Sequence, residues 1–351
     1  MANVYHVDVS VGSDDNDGLS HPGGAWASIG KALDTVVASD LVHVYGTADY
    51  ATEHGSSGAI GKIITDASVT DRIKFIGNGG IIGDGGIATL NAGTNGLTNC
   101  LLSKSINGSS LYSFFNFRFT GASGSGVDMV NGGGYSRYNQ WIQCQFDNNG
   151  GTGLLTSYGD DAAFCSFFNN VVYGTYLYVG SVSFSKMFNN GDSGVYLYGS
   201  CFCTQNIIFG NTACQIKTWN IGHHIINNTI DGKGISVGTG SSYNPIKVIN
   251  NIIINCATGL SGRWNTDHMV SKSNCFYNNT TDKDGWPDDD SDINADPLFV
   301  DAANNDYRLL PYSPCRGTGI DVGEVIGNTC YMDVGARQAN PSFSSAITDD
   351  S

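Results

Sequence analysis

Seven variants of one short pattern follow one another through the middle of this chain. Each is a strand ending in an aromatic or aliphatic residue, then small polar residues, often Asn, then Gly or a small substitute, then a second strand. The first-strand anchors are Phe146, Phe168, Phe188, Ile208, Ile230, Ile253 and Phe276, separated by 22, 20, 20, 22, 23 and 23 residues. The second strands open at Gly153, Gly174, Gly194, Ala213, Gly234 and Gly259. A near-constant period in this range means stacked repeats, each too small to bury its own apolar face.

The repeats alternate as strands do. Residues 174–179 read GlyThrTyrLeuTyrVal, 194–199 GlyValTyrLeuTyrGly and 182–188 ValSerPheSerLysMetPhe, rich in Val, Phe and Tyr and divided by Gly and Asn that suit turns of positive φ. Two or three short strands per coil of this length describe a parallel β-helix, an all-β solenoid whose coils stack at roughly 4.8 Å. Composition agrees: 47 of 351 residues are Gly, and only 14% are charged against a usual ~25%. The spacing predicts one solenoid of about a dozen coils over 46–295, with a strand and helix cap over 1–45 and a C-terminal cap and tail over 296–351. Two residues before the anchors, Asn206, Asn228, Asn251 and Asn274 occupy four consecutive coils. Such stacked amides satisfy one another and the turn backbone. Lys186 breaks that column and is expected either to turn outward or to meet an acid such as Asp161 or Asp192.

The two ends carry a resemblance. TyrHisValAspValSerValGlySerAspAspAsnAspGlyLeuSer from residue 5, followed by TrpAlaSerIleGlyLysAlaLeuAsp, resembles the N-terminal cap of right-handed parallel β-helix proteins of the pectate-lyase-like superfamily. Its helix is legible independently: Ser28 suits an N-cap, and Ile29, Ala32, Leu33, Val36 and Val37 share a face. AspProLeuPheValAspAlaAlaAsnAsnAspTyrArgLeu (296–309), SerProCys (313–315) and AspValGlyAla (333–336) are similar to the C-terminal segment common in the same group. The resemblance implies a right-handed helix and a carbohydrate-active protein. The group holds lyases, hydrolases, epimerases and non-catalytic phage or adhesin proteins, so the reaction has to come from the site.

The formal net charge of −15 argues against nucleic acid or an anionic membrane as partner. It also means that an acidic polysaccharide needs a local basic patch or bound cations. Acids gather at Asp14, Asp15 and Asp17 and at Asp284, Asp288, Asp289, Asp290 and Asp292, oxygen-rich loops of the kind that either sit in solvent or hold Ca²⁺. Ten Cys occur without a CxxC pair and read mostly as small core residues; Cys315 and Cys330 are a candidate pair across the C-terminal cap. The first residues lack a signal-peptide pattern, and no apolar run reaches membrane-spanning length. The expected location is extracellular or on a virion, as a trimer if the chain is a phage tail part.

No short catalytic signature is present, so candidates come from stacking. With the residue after each opening Gly inward, Tyr176 and Tyr196 face out in adjacent coils, as do Tyr178 and Tyr198. Lys217 is expected one coil beyond Tyr198 with Trp219 beside it, and Arg263 about two coils further, or roughly 10 Å. Rings that stack on pyranose faces beside cations that bind carboxylates make a polysaccharide-binding face; a tyrosine ladder that only stabilises strands is the plainer alternative. For β-elimination, Lys217 and Arg263 are candidate bases, as Lys or Arg often is in the lyases this chain resembles. His224, beside His223, is a further acid–base candidate, as is Asp267–His268, and Asp160 and Asp161 are candidate rim ligands for Ca²⁺. Hydrolysis would need two carboxylates roughly 5–9.5 Å apart, for which Asp128 with Asp160 or Asp161 is the available set. The expected function is therefore a polysaccharide lyase acting on an acidic glycan. The alternatives are a non-catalytic virion or adhesin solenoid and a glycoside hydrolase. Ice binding would need a flat Thr array that this chain lacks.

Overall fold

The computed structural model describes residues 2–55, 57–63, 71–103, 108–109, 111–130, 136–220, 222–238, 245–262, 268–322 and 333–336. The chain divides into two compact units, residues 1–166 and 167–338. Each is a stretch of right-handed parallel β-helix with three sheets. In the first unit, one sheet stacks Val4–Val7, Leu41–Tyr45, Ile73–Asn78, Tyr112–Phe115, Gln140–Ile142 and Tyr158–Ala163. In the second unit that type of sheet holds Val179–Ser183, Cys201–Thr204, His224–Ile226, Ile246–Ile249 and Met269–Lys272. The second sheet there holds Thr175–Leu177, Ser193–Leu197, Cys214–Thr218, Ile235–Val237, Thr258–Ser261 and Thr281–Lys283. The third holds Lys186–Phe188, Ile207–Phe209, Thr229–Asp231, Ile252–Ile254 and Cys275–Tyr277. The class is the expected all-β parallel solenoid, but the described residues make about seven turns rather than the dozen that the spacing suggested.

Short strands form because each rung is broken by residues that hold positive φ. At one corner of the second unit these are Asn189, Gly210, Gly232, Asn255 and Asn278; at another, Phe184, Gln205, Asn227, Asn250 and Ser273. Asn and Gly dominate because a left-handed backbone costs them least. The side chains between corners alternate into a dry interior of Met187, Ile208, Ile230, Ile253 and Phe276. Two anchors read from the sequence are one residue off. Phe167 and Met187 are the buried residues, whereas Phe168 and Phe188 face outward and stack with centroids 4.9 Å apart. The same offset explains Lys186: Ser185 takes the column position, its N–H donating to Asn206 Oδ1 at 2.9 Å, and Lys186 is exposed.

The Asn column exists and runs the length of four rungs. The N–H and amide of Asn206 donate to Asn228 Oδ1 at 2.9 and 3.0 Å, Asn228 does the same to Asn251, and Asn251 to Asn274. The ladder ends on Asp292, which accepts the Asn274 N–H at 2.9 Å. A second ladder links Asn170, Asn190 and Asn211 at another corner. In the first unit Asp160 plays a similar part: its carboxylate accepts from the Asn139 N–H (2.8 Å) and amide (3.1 Å) and from the Ser157 N–H (3.2 Å).

Both caps contribute recognisable packing. The helix Ile29–Thr35 starts on Ser28, whose Oγ accepts from Lys31 N–H, and Asp14 accepts from the Ala27 and Ser28 N–H groups and the Ser28 hydroxyl. Ile29 and Leu33 press on Gly61, where a Cβ would collide with Leu33 at 2.6 Å. The helix is shorter than expected: Val36 is its C-cap, and Val37 is 62% exposed. In the second unit, residues 333–336 lie along the third sheet. Gly335 N–H donates to the Asn250 carbonyl, and Ala336 N–H to Thr229 Oγ1. Gly335 has φ 92°, and a Cβ there would meet Ile252 at 2.5 Å. Cys315 is buried beside Cys275 in a cluster with Ile252, Ile254 and Val334; Cys330, its expected partner, lies outside the described residues.

Two outcomes follow from the buried polar columns. Asn228→Ala strands the Asn206 donors and the carbonyl of Cys203 inside the core, so it should lower unfolding free energy by about 2–4 kcal/mol, measured by denaturant titration. For Asp160, burial pushes the carboxyl pKa up to about 7, against partial relief from its hydrogen bonds. The unfolded carboxyl ionises near 4 while the folded one stays protonated, so stability should fall as pH rises from about 4 to 7 and level off above. Asp160→Asn should flatten that slope in thermal melts taken across the range; an unchanged slope would refute the assignment.

Candidate functional site: a tyrosine–lysine face

The second sheet of residues 167–338 turns a row of half-buried aromatic side chains outward. Alternation dictates it. In Thr175–Leu177 and Ser193–Leu197, Thr175, Leu177, Val195 and Leu197 are fully buried, which leaves Tyr176 and Tyr196 on the other side. Parallel register sets Tyr176 opposite Tyr196. Their rings meet edge to face at 4.9 Å, while Tyr178 and Tyr198 stack at 5.0 Å and 26°. Tyr176 also lies 6.1 Å from Tyr198, so the four rings form one patch rather than two separate lines. Such pairs contribute about 0.5–1.5 kcal/mol each beyond their burial.

Lys217 reaches this patch by a different register from the one the sequence suggested. It pairs with Tyr196, not Tyr198, because Ser193 aligns with Cys214 and Val195 with Ile216. The cause is Gln215. Counted from Ala213 it would face out, but it is fully buried, its amide oxygen accepting from Asn211 Nδ2 and its amide nitrogen donating to the Asp231 carbonyl at 2.7 Å. Gln215 rather than Ala213 lies opposite Gly194, so this rung opens two residues later than the spacing suggested. The first column becomes Tyr176, Tyr196, Lys217 and Ser236, and the second continues from Tyr178 and Tyr198 towards Trp219. Trp219 is 43% exposed, and its carbonyl accepts from His223 Nε2 at 3.0 Å.

The ammonium of Lys217 sits over two rings, 5.6 Å from the centre of Tyr173 and 5.7 Å from that of Tyr196, and 3.4 Å from Asp192 Oδ2. Burial alone would draw its pKa down; the Tyr173 hydroxyl and the Asp192 carboxylate outweigh that, and the net movement is upward. Lys217 is thus held as a cation. That suits binding an anion, and it runs against the expected role as a neutral proton acceptor. Tyr173 escaped the sequence reading because it precedes the strand, where the inward–outward count does not apply. Its ring lies 5.2 Å from Tyr196 and walls the other side of Lys217. Burial, then Asp192, raises the Tyr173 pKa, with Lys217 pulling it back in part.

The remaining candidates are elsewhere. His224 belongs to the first sheet, aligned with Phe202 and Lys247 and 4.7 Å from the Phe202 ring, so it does not join Lys217 on the second sheet. Burial, then Lys247, lowers its pKa. His223 is fully buried, and burial draws it to about 4. Arg263 and Asp267 lie outside the described residues. Asp160 and Asp161 belong to the first unit and point to opposite sides of their strand, as expected. Asp160, however, is fully buried with its oxygens on Asn139 and Ser157 rather than at a rim, and Asp128 is likewise buried. Among the described residues no three His, Cys, Asp or Glu side chains converge as a metal set would. In the C-terminal acidic loop Asp292 pairs with Lys283, and both are 7% exposed.

Residues 165–331, somewhat under half of the chain, match a family model described as disaggregatase related. No curated protein matches the chain. Among solved structures, that of the pectate lyase Pel9A is similar, with a TM-score of 0.60 and 15% identity over 97% of this chain and 97% of that one. At that identity the likeness is one of architecture: in fold, the chain is a pectate-lyase-like parallel β-helix.

Proposed function

We propose that this protein is carbohydrate-active and lays an acidic polysaccharide against the tyrosine–lysine face of residues 173–219, with β-elimination as its reaction. The observation that carries this reading is Lys217, a cation held between Tyr173 and Tyr196 at the end of a column of outward rings one rung apart. Ring faces stack on sugars, and the ammonium takes a uronate carboxylate, whose neutralisation is what proton removal at the neighbouring carbon requires. Lys217 then acts as the neutralising cation and not as the base, which leaves Arg263 of the two candidate bases to take the C5 proton as the bond to the glycosidic oxygen at C4 breaks and that oxygen leaves with the departing sugar. Hydrolysis is less well served: the carboxylate in contact with Lys217 is Asp192, and it is engaged by that ion pair. The fold shared with a pectate lyase favours a polymer ligand.

One observation favours a second reading. A lysine kept protonated grips an anion without cutting it, which is what a non-catalytic adhesin or tail solenoid needs. Incubation with polygalacturonate and alginate, with and without Ca²⁺, separates the two: the unsaturated product of elimination absorbs in the ultraviolet. Absorbance growth supports the lyase; retained binding without it supports the gripping solenoid. On either reading Lys217→Ala, with its circular dichroism unchanged, should weaken binding of the polyuronate about tenfold or more by affinity electrophoresis. Equal binding by wild type and variant would remove this face from the function.

A further inference from the structure

Lys217 already holds a carboxylate. Asp192 Oδ2 lies 3.4 Å from its Nζ, long for a charge-assisted pair, which is normally ~2.7–2.9 Å. The pair is reached by water, Lys217 being 39% and Asp192 30% exposed. Asp192 has a second partner, since Ser193 Oγ donates to its Oδ1 at 2.7 Å. Its backbone is fixed on both sides: its N–H donates to the Val172 carbonyl, and its own carbonyl accepts from Ala213 N–H. Lys217 has other support too, because its ammonium sits over the rings of Tyr173 and Tyr196. If the Asp192–Lys217 contact opens, Asp192 keeps Ser193 and Lys217 keeps its two rings. Neither side chain is set loose.

We propose that Asp192 is a placeholder for the ligand's carboxylate and so sets the selectivity of the face between charged and neutral glycans. This rests on the glycan-binding reading above. In the free protein the Asp192 carboxylate occupies the anion position beside the Lys217 ammonium. An incoming uronate displaces it at small cost, because a loose and exposed pair contributes little. A neutral sugar has nothing to exchange for that contact and leaves the pair closed. Asp192 also repels an acidic chain through its own charge, so removing the charge favours the acidic ligand on both counts.

Wild type, Asp192→Asn, Lys217→Ala and the double variant would be titrated calorimetrically with oligogalacturonate and with a neutral cello-oligosaccharide at one low ionic strength. The expected result is about two- to fivefold tighter binding of oligogalacturonate by Asp192→Asn, unchanged binding of the neutral chain, and no gain when Lys217 is absent. Weaker or unchanged binding by Asp192→Asn, or an equal gain without Lys217, overturns the placeholder while leaving the glycan-binding face intact. If neither wild type nor Asp192→Asn binds oligogalacturonate, both proposals fall together. If wild type does not bind it but Asp192→Asn does, the carboxylate is not displaced at small cost and the placeholder is overturned.

Discussion

Rung-to-rung hydrogen bonding in parallel register is the constraint from which the rest of this structure follows. A coil of about 22 residues cannot enclose a core, so each rung is stable only when the next supplies partners for its N–H and C=O groups and a lid for its apolar side chains. The backbone ladders do the first. The Asn206–Asn228–Asn251–Asn274 column does it again at a corner, where the chain turns and ladder bonds fail. Amide stacking also fixes phase: an Asn that donates to the next and accepts from the one before leaves little freedom for a coil to slide.

That phase lock creates the functional face. Tyr176 and Tyr196 are 20 residues apart in the chain, and Lys217 is 21 further on, yet register makes them consecutive members of one column. Two features then give the column chemical character. Tyr173, just ahead of its strand, and Asp192, just ahead of the next, flank the ammonium that follows the rings in the column. The ammonium is held towards its charged form by neighbours drawn from two rungs, Tyr173 and Asp192. A surface of this kind offers ring faces and one cation at regular spacing, which matches a repeating ligand better than a compact one.

The buried charges follow a different logic. Asp160 stands in a polar column where an amide would be at home, and burial holds its proton on. Asp292 ends the Asn ladder and is neutralised by Lys283, so its charge is compensated where it is buried. Both had been grouped with carboxylates able to bind metal. Their surroundings show each carboxylate serving the coil backbone instead, which is the commoner use of an acid at a turn.

Much of this was legible in the residue order. The period, the strand alternation, the Asn column, the capped helix at Ser28 and the outward placement of Tyr176, Tyr178, Tyr196 and Tyr198 all follow from spacing and side-chain chemistry, which are local properties. Register was not local. Whether Ala213 or Gln215 opens a rung depends on what the buried amide of Gln215 can bond to, and those partners are Asn211, four residues back, and the Asp231 carbonyl of the next rung. The same limit misplaced Phe168 and Phe188 by one residue and hid Tyr173, which belongs to no strand. The chain's own order thus determined that it coils, what lines the interior and which strands carry aromatic rings. Only the folded structure decided which rungs align and what Lys217 touches, because a shift of two residues leaves every side chain on its own face and is settled by the neighbours it meets.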